Sequence, residues 1–313
     1  MTAAERELRT AVVTGGTGAI GVALCEKLLA EGCTVYAAVN PNSRRTDNLP
    51  QHERLQLIPC DAAAYDTLPE KIGAADAFFH LAWAKTTGSG RNDMPAQIAN
   101  IRYAIDAVRA ANRLGCKVFV GAGSQAEYGR VEGMLHPDTP CFAENGYGMA
   151  KCCAGQMTRT ESHALGMAHI WLRVLSVYGE YDGAAAMIPA VILQLLRGEM
   201  PALTKGEQLW DYLYAADAAN AFYLAAAHGR DGAVYPVGSG EARPLREYVT
   251  ELRDAIDENL PLGFGERAYA DKQVMHLQAD ITPLHDDTGF TPQVSFSEGI
   301  RRTIAFYRAH PNG

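Results

Sequence analysis

Thr14-Gly-Gly-Thr-Gly-Ala-Ile-Gly21 follows the apolar run Ala11-Val12-Val13 and opens a helix-like segment, Val22 to Glu31. Strand, glycine turn and helix in that order are the setting in which such glycines hold a dinucleotide. Gly15 allows a tight turn with positive φ. Gly18 has no Cβ, so a pyrophosphate can approach the backbone, and Gly21 lets the helix pack close to the strand. The helix N-terminus, with its free N–H groups and positive dipole end, faces the phosphates beside Thr17, Ala19 and Ile20. An ordinary glycine-rich turn between strand and helix would share the glycines but not this context.

Outward from that stretch, strand-like and helix-like segments alternate at short spacing, the pattern of an α/β doubly wound parallel sheet, the Rossmann arrangement. Strands are expected at Ala11–Val13, Thr34–Val39, Leu55–Pro59, Ala77–Leu81, Lys117–Ala122, His169–Leu175 and Ala233–Val237. The clearest helical pattern runs from Ala96 to Leu114, with Ile98, Ile101, Ile105 and Val108 as an apolar stripe and Gly115 as its stop.

The 313 residues are 48% hydrophobic, enough for one large core or two joined lobes. A net charge of −8 without a Lys/Arg stripe argues against a nucleic-acid surface. No apolar run approaches the roughly 20 residues of a membrane span, and Met1 to Thr10 lacks the apolar centre of a signal peptide. Seven cysteines with no CxxC spacing read as reduced thiols, with neither a disulfide framework nor a zinc site. A cytoplasmic location is expected.

The end of the second strand bears on the choice of cofactor. NAD-selecting sites usually place an acid there for the ribose 2′-hydroxyl. Here stand Asn40 and then Arg44 and Arg45, and arginine forks suit a 2′-phosphate. This favours NADP(H), with NAD(H) the alternative and a solvated loop the plainest reading of the two arginines. After the third strand, Asp61, with Ala62 beside it, can accept a bond from an adenine amino group. The fourth strand closes on Leu81, Ala82 and Trp83, where the cofactor backbone would pass. His80, inside that apolar strand, reads as a packed, hydrogen-bonded histidine rather than a base. The loop Ala84 to Met94, with Lys85, reads as the mouth of a substrate site.

Ser124 ends the fifth strand, and Tyr147 and Lys151 stand four apart at the start of a helix, on one face. A phenol titrating near ~10 is a poor base at neutral pH. A neighbouring ammonium and an oxidised nicotinamide would favour the phenolate. Tyr147 can then exchange a proton with an alcohol oxygen while hydride moves at the adjacent carbon. Ser124 can hydrogen-bond the same oxygen, and Lys151 can hold ribose hydroxyls.

With these motifs the chain resembles the extended short-chain dehydrogenase/reductases, in their nucleotide-sugar epimerase/dehydratase branch. The likeness rests on residues 14–21, His80-Leu-Ala82, Asn100, Ser124, Tyr147/Lys151, Ser176-Val-Tyr-Gly179, Trp210-Asp-Tyr-Leu-Tyr-Ala-Ala-Asp217 and a closing segment with Gly289-Phe-Thr-Pro292. It implies a dinucleotide-binding domain, 1–176 plus 210–240, and a smaller discontinuous lobe, 177–209 plus 241–313, for a nucleoside-diphosphate sugar. It also implies Asn100 near the cofactor, and a homodimer formed through Pro95–Leu114 and Tyr147–Leu165. Cys152 and Cys153, in the second of these segments, read as packing.

Departures from the family pattern narrow the reaction. The 4,6-dehydratases follow the hydroxyl residue with Asp and Glu, whereas Gln125 and Ala126 here cannot transfer a proton. Glu127, one step on, should face the other way by strand alternation. Position 210, often Arg toward the substrate phosphates, is Trp, and position 176, often Asn, is Ser. Lys205, Arg243 and Arg267 are the substitute cations. The expected function is reduction of a 4-keto sugar nucleotide, with a C4 epimerase as the alternative. A small-molecule carbonyl reductase and a catalytically silent NADP-binding protein stand behind these.

Overall fold

The computed structural model describes residues 5–311. The reading of Met1–Thr10 as free of a leader, and the outer bounds 1 and 313 of the two lobes, fall partly outside these residues. In the first half the elements are β1 (Thr10–Thr14), α1 (Ala19–Ala30), β2 (Thr34–Val39), β3 (Leu55–Pro59), α2 (Leu68–Lys71), β4 (Ala77–His80), α3 (Met94–Arg113), β5 (Val118–Ser124), α4 (Gly146–Ala164) and β6 (Ala168–Val174). There follow β7 (Ser176–Tyr178), α5 (Met187–Leu196), β8 (Ala202–Leu203), β9 (Leu209–Trp210), β10 (Tyr212–Tyr214), α6 (Ala215–His228) and β11 (Val234–Val237). The chain ends with β12 (Arg243–Pro244), α7 (Leu245–Asp254), β13 (Gly263–Phe264), β14 (His276–Leu277), α8 (Thr282–Thr288) and α9 (Phe296–Ala309).

Seven strands form one parallel sheet in the order β11-β6-β5-β4-β1-β2-β3. Runs such as Ala77-Phe-Phe-His80 and Val118 to Ser124 are buried throughout, as expected of a parallel sheet covered on both faces. One face is packed by α1 and α6 over Val13, Phe79, Val120 and Leu172. The other carries Val12, Phe78 and Phe119 against Ala107, Val108 and Ala111 of α3. The connection order reverses between β1 and β4, and open α/β sheets bind ligands outside the strand ends at such a point. Thr14, His80 and Ser124 all stand at that edge.

The α3 stripe needs correction. Its buried face is Gln97, Asn100, Ala104, Ala107, Val108 and Ala111, while Ile98 is 67% exposed and Ile101 and Ile105 are half-buried. Small residues face the sheet because the helix lies close to it, and this leaves the bulky isoleucines outward. Gly115 does end the helix, at φ +78°.

Tyr178, Ile192, Tyr214, Leu252, Ile304 and Tyr307 make a separate core, built mainly of α5, α7 and α9. Two buried carboxylates fasten the stretch Trp210–Asp217 to later segments. Asp211 accepts N–H bonds from Ser239 at 2.6 Å and Ala279 at 3.0 Å. Asp217 accepts those of Gln293 at 3.0 Å and Val294 at 2.9 Å. Among the described residues no helix is long and apolar enough to cross a membrane.

Candidate active site

The glycine turn is built for close approach. Gly15 holds φ +74°. A Cβ on Gly21 would sit 2.2 Å from the Gly15 carbonyl oxygen, so only glycine lets α1 start this near the strand. A Cβ on Gly18 would meet nothing nearer than 3.8 Å, which leaves space above that residue. Gly18 is the N-cap of α1 and offers no side chain to its first N–H groups. Uncapped donors at a positive helix end, beneath an open glycine, suit a pyrophosphate.

Two adjoining cavities follow the strand ends. The first, about 230 Å³, is lined by Gly15, Thr17, Asn40, Ser43, Ala62, Tyr65, His80, Ala82, Trp83 and Asn100, among others. His80 is 2% exposed, and its Nδ1 is hydrogen-bonded to Thr14 Oγ1 at 3.0 Å. Its Nε2 is enclosed and has no partner among the described residues. Burial pushes the imidazole down to about 3, so it is neutral, as the packed-histidine reading requires, though satisfied on one nitrogen only. The glycine turn and the uncapped start of α1 fit the residues to the pyrophosphate of a dinucleotide.

The second cavity, about 300 Å³, is lined by Gly15, Gly18, Ala19, Ile20, Leu81, Trp83, Thr86, Ser124, Tyr147, Lys151 and Asp182, with others. Asn145 caps α4 by accepting the Gly148 N–H at 3.0 Å, which sets Tyr147 and Lys151 in its first turns. Lys151 is 3% exposed, donates to the Ala122 carbonyl oxygen at 2.6 Å and lies 3.8 Å from the Trp83 ring centroid. Burial pushes its ammonium down to about 7, and the negative charge of Glu127 opposes that shift. The Tyr147 phenol is moved upward by burial, with the Ser124 hydroxyl and the Arg91 guanidinium acting downward. Among the protein's own groups, desolvation outweighs the neighbours that favour the phenolate, so the expected depression of Tyr147 would have to come from the positive nicotinamide ring.

Asn100 and Gln97 hold the mouth loop. Asn100 makes two 3.0 Å bonds with the N–H and C=O of Ala84, and Gln97 accepts the Trp83 indole N–H at 2.9 Å and donates to Lys85 O at 3.1 Å. Lys85 itself holds φ +59° and is exposed, and its neighbour Thr86 reaches the cavity.

Other expected residues lie off the two cavities. Arg44 and Arg45 line neither cavity, and Ser43 does instead. Arg45 donates to Tyr181 O at 2.7 Å because the loop of residues 179–182 comes within its reach. Asp61 is engaged by Asn40 Nδ2 and the Ala63 N–H, both at 3.0 Å, so its carboxylate serves the local turn. Of the candidate substrate residues, Lys85, Gln125, Ser176, Lys205, Trp210 and Arg267 line neither cavity. Trp210 and Ser176 meet each other, indole N–H to hydroxyl at 2.8 Å. The Arg267 N–H donates to Leu203 O at 3.0 Å, which brings its backbone beside the segment that carries Lys205. Arg243 is paired with Glu251 at 3.0 Å. Cys152 is half-buried and Cys153 exposed, and all seven cysteines are free.

Asp182 escaped the sequence reading, and Glu127 faces away from both cavities as expected, though a tight turn rather than strand alternation sends it there. Asp182, three residues after Gly179, lines the second cavity, and burial pushes its carboxyl up to about 6. The fifth strand ends at Ser124, and Gln125–Glu127 is a tight helical turn in which strand alternation no longer applies. Glu127 therefore turns back and accepts the Ser124 N–H at 2.8 Å.

Residues 11–238 match the family model described as "NAD dependent epimerase/dehydratase family". A dTDP-glucose 4,6-dehydratase of Shigella flexneri is 30% identical over 190 residues, which cover 57% of this chain and 52% of that protein. The match thus spans about half the length of that curated relative. A UDP-N-acetylglucosamine 4-epimerase from Methanobrevibacter ruminantium, solved with UDP-N-acetylmuramic acid, superposes with a TM-score of 0.88 at 24% identity, over 96% of this chain and 99% of that one. DesIV, a dTDP-glucose 4,6-dehydratase from Streptomyces venezuelae solved with NAD and TYD, does so at 0.84 and 23%, over 97% and 98%. At these identities the two structures speak for the fold.

Proposed function

The chain belongs to the NAD dependent epimerase/dehydratase family, and we propose that it is an oxidoreductase that reduces the 4-keto group of a nucleotide-linked sugar. One observation carries this reading: Ser124, Tyr147 and Lys151 open onto the same cavity as the glycine turn, while Gln125 and Ala126 occupy the positions that eliminate water in dehydratases. A nicotinamide dinucleotide, held along Gly15–Ile20, Ala82, Trp83 and Asn100, supplies the hydride. Tyr147 donates the proton to the carbonyl oxygen, Ser124 hydrogen-bonds that oxygen, and Lys151 holds positive charge beside the phenol so that the phenolate left behind is stabilised. Trp83 and the Ala84–Met94 loop shield this step from water.

NADP(H) is the proposed cofactor, with Arg44 as the cation for the 2′-phosphate. Arg45 is withdrawn from that role by its bond to Tyr181. The bond ties the loop after β2 to the loop after β7, and a cleft fastened in this way favours a cofactor that stays bound. It supports the second reading, a C4 epimerase in which the carbinol is oxidised and reduced again on its other face. The outward Ile98, Met94, Met149 and Met157 of α3 and α4 support the proposed homodimer.

Incubation with NADPH and a 4-keto-6-deoxy sugar nucleotide tests the first reading, and incubation of a nucleotide sugar that carries a C4 hydroxyl, with no NADPH added, tests the second. A reductase consumes one equivalent of NADPH per product, seen as loss of its absorbance. Inversion at C4 of the hydroxyl sugar with no net turnover of cofactor assigns the second reading, and no change in either incubation refutes both.

A further inference from the structure

We propose that Glu127 is a positioning residue of the hydride-transfer site, which from beneath the end of β5 fixes Ser124 and sets a buried negative charge against the Trp171 ring that Lys151 also faces. This rests on the reading of Ser124, Tyr147 and Lys151 given above.

The carboxylate is almost wholly enclosed, at 1% exposure. One oxygen accepts the Ser124 N–H at 2.8 Å and the Trp171 indole N–H at 3.0 Å, and the other accepts Arg173 Nε at 2.9 Å. In return Ser124 Oγ accepts the Ala126 N–H at 3.2 Å, which closes a reciprocal cap around residues 125–127. The chain makes room for this arrangement. A Cβ on Gly123 would lie 2.6 Å from the carboxylate and 2.3 Å from the indole nitrogen, and one on Gly121 would lie 2.2 Å from the same ring. Three bonds and two glycines thus determine where Glu127 stands, and with it the backbone that carries Ser124.

The electrostatic half follows from what surrounds Lys151. Facing it are the Trp83 and Trp171 rings, the Tyr147 phenol of its own helix, the neutral His80 and the charge of Glu127. Burial drives Lys151 toward its neutral form, and Glu127 is the charge that resists this. Around Glu127 itself lie Arg173, Tyr128, Cys141 and Cys152. The thiol and carboxylate atoms of Glu127, Cys141 and Cys152 come within 4.8 Å of one another, a spacing that would suit a metal ion. The Arg173 guanidinium already bridges Glu127 and Cys141 Sγ, each at 2.9 Å, so the chain's own cation neutralises the group. Because Arg173 partly neutralises the carboxylate, its hold on Lys151 is moderate rather than complete.

The test follows Lys151 directly, by carbon-13 NMR of lysine-labelled protein with its signal assigned through Lys151→Met. Glu127→Gln keeps an acceptor for the Ser124 and Trp171 N–H groups and removes the charge. Glu127→Gln with Arg173→Met removes both charges, and serves where the single variant leaves Arg173 unpaired and fails to fold. The Lys151 midpoint is expected to fall by about one pH unit in Glu127→Gln and by less in the double variant, which loses the opposing charge of Arg173 as well. The rate at neutral pH is expected to drop about fivefold, KM to change little, and the loss to vanish as pH falls below the lowered midpoint. An unmoved Lys151 midpoint, or a rate loss that is uniform with pH, overturns the proposal. A lowered midpoint in a protein whose wild type turns over no keto-sugar nucleotide upholds the link from Glu127 to Lys151 and retires the catalytic reading instead.

Discussion

The Lys151 ammonium rests 3.8 Å from the centroid of the Trp83 indole, so a helix residue and a strand-end residue together close one wall of the cleft. The ring attracts the cation without giving it a hydrogen-bond acceptor, a contact worth up to about 2 kcal/mol when desolvated. Among the described residues only the Ala122 carbonyl accepts from the Nζ, and the ammonium therefore remains poorly solvated.

That poor solvation has a pH signature. Lys151 titrates near 7 in the folded chain, against 10.5 for the free side chain. Between these values the unfolded chain binds the extra proton, so the penalty for burying the charge is full below about 7 and fades as pH rises toward 10.5. Denaturant unfolding of wild type and Lys151→Met across this window should show the wild type gaining on the variant as pH rises. The gain should be a few kcal/mol in all, because each tenfold difference in proton affinity between the folded and unfolded chains is worth about 1.4 kcal/mol. Parallel stability curves would show that Lys151 keeps its ordinary ionisation when buried.

Gly18 and Gly21 should separate binding from folding. A methyl on Gly21 has to enter the space of the Gly15 carbonyl oxygen, 2.2 Å away, so Gly21→Ala should lower Tm markedly. At Gly18 the nearest atom is 3.8 Å away, and Gly18→Ala should fold with an unchanged Tm. Its methyl group stands where a pyrophosphate must approach, and dinucleotide affinity should fall at least about tenfold. Calorimetric titration with NADPH and NAD reads this, and undiminished affinity would place the phosphates elsewhere.

The two arginines should behave differently. Arg44→Ala is expected to raise KM for NADPH about tenfold or more, the scale of a charge-assisted bond, while leaving KM for NADH nearly unchanged. Arg45→Ala removes the bond to Tyr181 and should weaken both cofactors alike, by loosening the loop of residues 179–182. Equal effects on both cofactors from Arg44→Ala would remove the reason for preferring NADP(H).

The sheet was legible because each strand is a short apolar run between turns. β2 and β3 begin and end where the sequence places them, and the others differ by one or two residues. The glycine turn was legible too, since Gly15 and Gly21 owe their identity to local backbone geometry. The α3 stripe misled, because apolar spacing marks a face without saying whether small residues such as Ala104 and Ala107 can pack closer. Partners distant in sequence were invisible. Arg45 is 136 residues from Tyr181, and Trp210 is 34 from Ser176, so neither bond leaves a local trace. Glu127 was expected to face away from the site and does, but its bonds to Trp171 and Arg173, more than 40 residues on, left no local trace.

Steady-state turnover of Tyr147→Phe, measured beside its dinucleotide affinity, tests the proposed proton transfer most directly. Removing one hydroxyl from α4 deletes the proton carrier and nothing else, so kcat should fall by about 10² to 10⁴ while cofactor affinity stays at the wild-type value. A kcat close to wild type would contradict the role given to the phenol, and with it the chemistry assigned to this cleft.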